Sequence, residues 1–165
     1  RLLLSPVRRS SILLGHMVAD MAVAVGLIIP ITAVGFLVGV RFETGVLGVL
    51  AFLVLGALWS LAFTGFGYAI ALKTGNPAAV NSSFLLFFPF LFLTSSYVPR
   101  QQLTGWLDAV ATVNPVTYLL EGLRSLVMIG WEWDDIGKAV LAVAILGTIS
   151  MSMCFAALRG RIQRG

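Results

Sequence analysis

The sequence predicts an all-α, polytopic membrane protein: four transmembrane helices, a short re-entrant helical hairpin on the extracellular side, and an N-terminal cytoplasmic amphipathic helix. Composition is the first observation behind this. Of 165 residues, 59% are hydrophobic and only 11% are charged. An average soluble domain carries roughly 25% charged residues, so this chain has too few polar side chains to cover a surface in water. The second observation is four runs free of Asp, Glu, Lys and Arg: Met21–Val40, Thr44–Leu72, Thr74–Pro99 and Ala139–Leu158. Each is close to the length, about 20 residues at 1.5 Å rise, that spans a hydrocarbon core. The third is the placing of charge. With a cytoplasmic N-terminus, four crossings return the C-terminus to the same side. That side then holds seven basic residues, Arg1, Arg8, Arg9, Lys73, Arg159, Arg161 and Arg164, against one acid, Asp20. The outer side holds four basic residues, Arg41, Arg100, Arg124 and Lys138, against six acids: Glu43, Asp108, Glu121, Glu132, Asp134 and Asp135. Basic residues gather at the cytoplasmic ends of spans. The net charge of +4 therefore reads as topology, with the lipid bilayer and not nucleic acid as partner.

Residues 1–165 read as one transmembrane domain, and the start at Arg1 within a basic amphipathic stretch reads as part of a longer chain. Residues 1–15 form the cytoplasmic segment. The first span, 17–40, carries Pro30, which removes a backbone donor and predicts a kink. Gly35 and Gly39 stand in the G-x-x-x-G spacing that lets helices approach closely. Asp20, near the cytoplasmic end, is either a boundary residue reaching for the headgroups or a polar contact between helices. The second span, 46–72, carries Ser60, Thr64 and Tyr68 at i, i+4, i+8, which share a face. That stripe lines a pathway or bonds to neighbouring helices. Gly75-Asn76-Pro77 supplies turn chemistry. The third span, 78–98, has an aromatic centre split by Pro89, and the last runs over 136–158.

Between the third and last spans, 104–129 reads as two half-helices dipping into the outer leaflet. From Val116 the apolar residues Leu119, Leu120, Leu123, Leu126 and Val127 keep a 3.6-residue period, with Thr117, Glu121, Arg124 and Ser125 on the other face. Asn114 suits an N-cap and Pro115 a first helical residue. A helix from Pro115 to Ile129 is about 22 Å long, too short to cross. Trp106, Trp131 and Trp133 suit interfacial depth. Glu121 and Arg124, at i, i+3, can pair locally and so avoid two lone charges near lipid. The hairpin is then either a plug between spans or an outer gate built from Asn114, Pro115, Tyr118, Glu121 and Arg124.

The stretch FLTSSYVPRQQLTGWLDAVATVNPVTYLLEGLRSL resembles the C-terminal signature of type-2 ATP-binding-cassette exporter permeases of the drug- and antibiotic-efflux kind. Ser95-Ser96 followed by Pro99, then Asn114-Pro115-Val116-Thr117-Tyr118 and Leu123-Arg124, fit that pattern; Thr104 departs from it, standing where Leu-Pro is usual. Leu3, Pro6, Arg9, Leu13 and Gly15 are similar to the segment leading into the family's third span. The resemblance covers nearly the whole chain and implies spans three to six of a six-span permease. It also implies that Leu4, Ser5, Pro6, Arg8, Arg9 and Ser10 belong to a coupling helix that docks on an ATPase; from the residues alone, a basic anchor at lipid headgroups is the favoured reading. Two permeases, identical or not, and two ATPases are implied, in a bacterial plasma membrane, with substrate passing along the permease interface.

Chemistry of other kinds is absent from the sequence. No G-x-x-x-x-G-K-[ST] occurs, so the expectation is a non-enzyme, with ATP and Mg on the partner ATPase and no catalytic, cofactor or metal residue here. The single cysteine, Cys154, excludes an internal disulfide, and His16 is the only histidine. The expected function is the permease of an ATP-driven exporter moving an amphipathic drug, antibiotic or lipid-like molecule outward. The alternative is a non-transporting scaffold or channel-like subunit that assembles through the G-x-x-x-G spacing.

Overall fold

A computed structural model describes residues 9–76, 78, 80, 85, 88, 89, 94 and 106–162. These form α1 (Arg9–Val38), α2 (Gly45–Thr74), α3 (Trp106–Val113), α4 (Pro115–Arg124), a π-helical turn (Ser125–Ile129) and α5 (Trp133–Ile162). Among the described residues there is no strand, and the protein is all-α. Most of 78–98, together with Leu4, Ser5, Pro6 and Arg8, lies outside the described residues; Arg9 and Ser10 are the first residues of α1.

Among the described residues three helices are long and apolar enough to cross a bilayer: Ser11–Val38, Gly45–Thr74 and Trp133–Gly160. The 30 residues of α2 reach about 45 Å. Helix α1 starts at Arg9, so residues 9–15 and the first span form one continuous helix that runs through Pro30. Its end corrects the G-x-x-x-G reading. Gly39 has φ +101°, Val40 N–H donates to the Gly35 carbonyl (2.9 Å) and Gly39 N–H to that of Phe36 (3.1 Å). This is a helix stop of the Schellman type. The two glycines terminate a helix here, and among the described residues the spacing forms no helix–helix seam. Helix α2 ends in a similar way, with Gly75 at φ +75° donating to Ala71 O, while the Asn76 side chain accepts from Ala78 N–H at 3.0 Å.

Packing divides the molecule into two clusters. At one end Leu13 and Met17 of α1, Ala69 of α2 and Cys154 of α5 are buried together, flanked by Tyr68, Leu72 and Met151. At the other, Leu55 of α2, Leu119 of α4, Leu126 of the π turn, and Ile136 and Val143 of α5 form the core, with Trp59 and Leu123 against it. The axis of the fold is the α2–α5 pair, which meets face to face where Gly65 opposes Ser150: a Cβ on Gly65 would lie 2.7 Å from Ser150 Oγ and 3.3 Å from its carbonyl carbon. Outside these clusters the helices show apolar side chains. Leu27, Ile31, Val34 and Leu37 of α1, Val46, Leu47 and Leu50 of α2, and Val140, Leu141 and Ile145 of α5 are half or more exposed. A surface of that kind belongs in lipid or under other membrane helices.

Candidate functional site: the short helical hairpin and the helix contacts beside it

Helices α3 and α4 span about 12 and 15 Å, too short to cross. They sit at the end of the fold where α1 stops and α2 and α5 begin. Asn114, 2% exposed, has extended backbone, and its Oδ1 accepts from Val116 N–H at 3.0 Å; Pro115 opens α4 without needing a donor. The Tyr118 hydroxyl donates to Thr112 O at 2.6 Å, closing the α3–α4 corner. Pro115 and Tyr118 then line, with Val113, Lys138, Leu141 and Ile145, an open groove of about 560 Å³ against α5. Glu121 and Arg124 lie half-buried along the same helix, with Glu121 in the field of Lys138. Lys138 itself is bridged to Asp134 and, at 3.8 Å, to Asp135. Trp131 and Trp133 stack at 5.3 Å on the exposed rim beyond the π turn.

Two details of α4 differ from the sequence expectation. The helix does not continue regularly to Ile129: after Arg124 it widens into the π turn. There Gly130 N–H reaches back to Ser125 O at 2.8 Å, an i to i+5 bond. The turn is also bonded from outside the segment. Thr44 Oγ1 donates to Leu126 O at 2.6 Å and Glu43 N–H to Val127 O at 3.2 Å, so the carbonyls of this turn are held by the α1–α2 connection. Second, the face carrying Thr117 and Ser125 is not an open one. Both residues are fully buried; Thr117 shares a 2.8 Å hydroxyl hydrogen bond with buried Thr94, and Ser125 Oγ donates to Gly122 O. Gly122 lets α4 lie directly on α5, since a Cβ there would stand 2.5 Å from Ala139 Cβ. Both faces of α4 are therefore engaged, and the hairpin is fastened at Thr44, Thr94 and Gly122. Sequence reasoning missed Thr44 and Thr94; a threonine next to a helix start or in a loop reads as a local cap, and nothing in its neighbours shows a tertiary bond.

The stripe Ser60, Thr64, Tyr68 is present on α2, each residue half-buried. Thr64 Oγ1 donates back to Ser60 O at 2.7 Å, so its proton is used within the helix. Tyr68 leaves α2 and donates to Asp20 Oδ2 at 2.8 Å. Of the two readings of Asp20, the structure supplies the contact between helices. None of the three lines the grooves between α2 and α5, which are walled by Leu55, Leu58, Ala62, Val143 and Gly147 toward the hairpin end and by Ala69, Lys73, Met153 and Gly160 toward the other.

A short helical hairpin with a capped Asn-Pro start packed on long apolar helices suits a membrane protein, and the sequence comparison decides the family. Residues 1–128 match the sequence profile of the ABC-2 type transporter. The chain belongs to the ABC-2 type transporter family. It is therefore a multi-pass membrane protein of the permease kind. Among curated relatives, the daunorubicin resistance ABC transporter permease protein DrrB1 of Streptomyces coeruleorubidus is 23% identical over 160 residues, covering 96% of this chain and 55% of its own length. The probable doxorubicin resistance ABC transporter permease protein DrrC of Mycobacterium tuberculosis is 24% identical over 130 residues, covering 79% of this chain and 47% of its own. A putative transport permease, ycf38 of Porphyra purpurea, is 25% identical over 87 residues, covering 46% of this chain and 30% of its own. The chain thus spans about half the length of the first two relatives. No solved structure matches it.

Proposed function

We propose that this ABC-2 type chain is the membrane-spanning part of an ATP-driven exporter that moves amphipathic molecules outward. The observation that carries the reading is the family match over residues 1–128, joined to relatives whose names are those of daunorubicin and doxorubicin resistance permeases. ATP and Mg are bound and hydrolysed by a partner ATPase. Leu4, Ser5, Pro6, Arg8, Arg9 and Ser10 dock on it, in a bacterial plasma membrane with both termini cytoplasmic. A second permease completes the pathway, whose wall includes Ser60, Thr64 and Tyr68; Asn114, Pro115, Tyr118, Glu121 and Arg124 form the outer gate. The apolar helices with few charges suit a substrate that is largely apolar with some polar groups. ATP binding to the partner shifts the permease between two packings, and the shift is as large as the difference in binding to the two states.

The fold supports this over a scaffold. The Gly35–Gly39 spacing on which a scaffold would assemble is a helix stop. The test is affinity purification of the complete permease in mild detergent. A stoichiometric ATPase is expected to co-purify, and the Arg8→Glu/Arg9→Glu variant to lose it while still inserting in the membrane. An intact, inserted permease that never carries an ATPase would contradict the reading.

A further inference from the structure

Helix α2 is tied at both ends by a directional hydrogen bond to a different part of the molecule. Near its C-terminus Tyr68 donates to Asp20 Oδ2 on α1 at 2.8 Å. Next to its N-terminus Thr44, 8% exposed, donates to Leu126 O in the π turn at 2.6 Å. Between Thr44 and Tyr68 lie about 36 Å of α-helix with no proline. Helix α1, in turn, is continuous from Arg9 through Asp20, and its inner end is buried through Leu13 and Met17 against Ala69 and Cys154. Apolar contacts of that sort are non-directional and tolerate sliding. A hydrogen bond between two side chains fixes the register of one helix on the other. Beyond Asp20, α1 has no buried residue as far as Val38.

We infer that Asp20, Tyr68 and Thr44 are positioning residues for coupling: α2 is the rod that carries displacement from the N-terminal segment to the outer hairpin. Displacement of the Arg9 end of α1 moves that helix as one body. The Asp20–Tyr68 bond converts that into movement of α2, and Thr44 delivers it to the Leu126 carbonyl, where the π turn is the part of the hairpin already opened from regular helix. This rests on the export reading above. It goes beyond that reading by naming which contacts carry the motion.

The test uses the complete permease–ATPase complex in liposomes and reads the ratio of doxorubicin-stimulated to basal ATP hydrolysis. Tyr68→Phe and Thr44→Val, both close in shape to the native residues, are each expected to lower that ratio by about fivefold or more; Thr44→Val, which lies outside the pathway wall, is expected to do so with basal hydrolysis and ATPase retention unchanged. Because the two bonds act in series, the double variant is expected to be no worse than the weaker single one. Asp20→Asn keeps an oxygen that accepts from Tyr68 and is expected to stay near wild type, whereas Asp20→Leu should match Tyr68→Phe. Variants that lower only the thermal transition of the complex, or singles that retain the wild-type ratio, would overturn the inference alone. A wild-type complex with no drug stimulation would overturn the export reading, and this inference with it.

Discussion

Gly122 is where α4 rests on α5, and the cost of any side chain there is visible in the distances: 2.5 Å from an added Cβ to Ala139 Cβ and 3.1 Å to Asp135 O. Neither neighbour is the end of a flexible side chain, so backbone must move. Gly122→Val is expected to destabilise the detergent-solubilised protein by about 1–3 kcal/mol, read as a lower thermal transition. Thr94 and Thr117 make a different kind of claim. Their shared hydroxyl bond is buried on both sides, so each single change to Val leaves one hydroxyl without its partner, at a cost of about 1–3 kcal/mol. Changing both removes the need, and the double variant should recover most of that loss. A strictly additive double variant would show that the pair is not a coupled unit.

The π turn and the hairpin it closes are properties of elements. Gly130 ends the turn at φ +125° and ψ −157°, a region open almost only to glycine. Gly130→Ala is expected to cost about 1–3 kcal/mol, with local loosening of 125–132 seen as faster amide exchange there than in α4. How much of this was legible in the sequence follows from how local each signal is. The start of α4 was, because Asn114 and Pro115 act on their immediate neighbours. Of the periodic residues Val116, Leu119, Leu120, Leu123, Leu126 and Val127, the structure places Leu119, Leu123 and Leu126 at the core with α2 and α5, while Leu120 and Val127 stay half-buried. The π turn was not legible: the residue bonded to its Leu126 carbonyl is Thr44, 82 residues away. Asp20 had two readings for the same reason, because its partner Tyr68 lies 48 residues on. The glycine pair misled differently. One spacing serves both a close helix crossing and a helix stop, and only the positive φ of Gly39 tells them apart. The third predicted span, 78–98, lies largely outside the described residues.

Among the described residues three long apolar helices join a short helical hairpin, and their exposed side chains are suited to lipid or further helices. Composition and the charge-free runs made the all-α membrane architecture readable, because the bilayer leaves so few ways to satisfy a backbone. The chain's place in the ABC-2 type transporter family rests on residues 1–128; export is the reading that family and the drug-resistance relatives support. The most direct measurement is ATP-driven movement of a fluorescent amphipathic drug such as doxorubicin. It would use inside-out membrane vesicles containing the complete permease and its ATPase. The expected result is accumulation that requires ATP, saturates with drug and vanishes when the ATPase is made unable to hydrolyse. Equal drug levels with and without ATP, in vesicles where the complex is intact and hydrolysing, would contradict it.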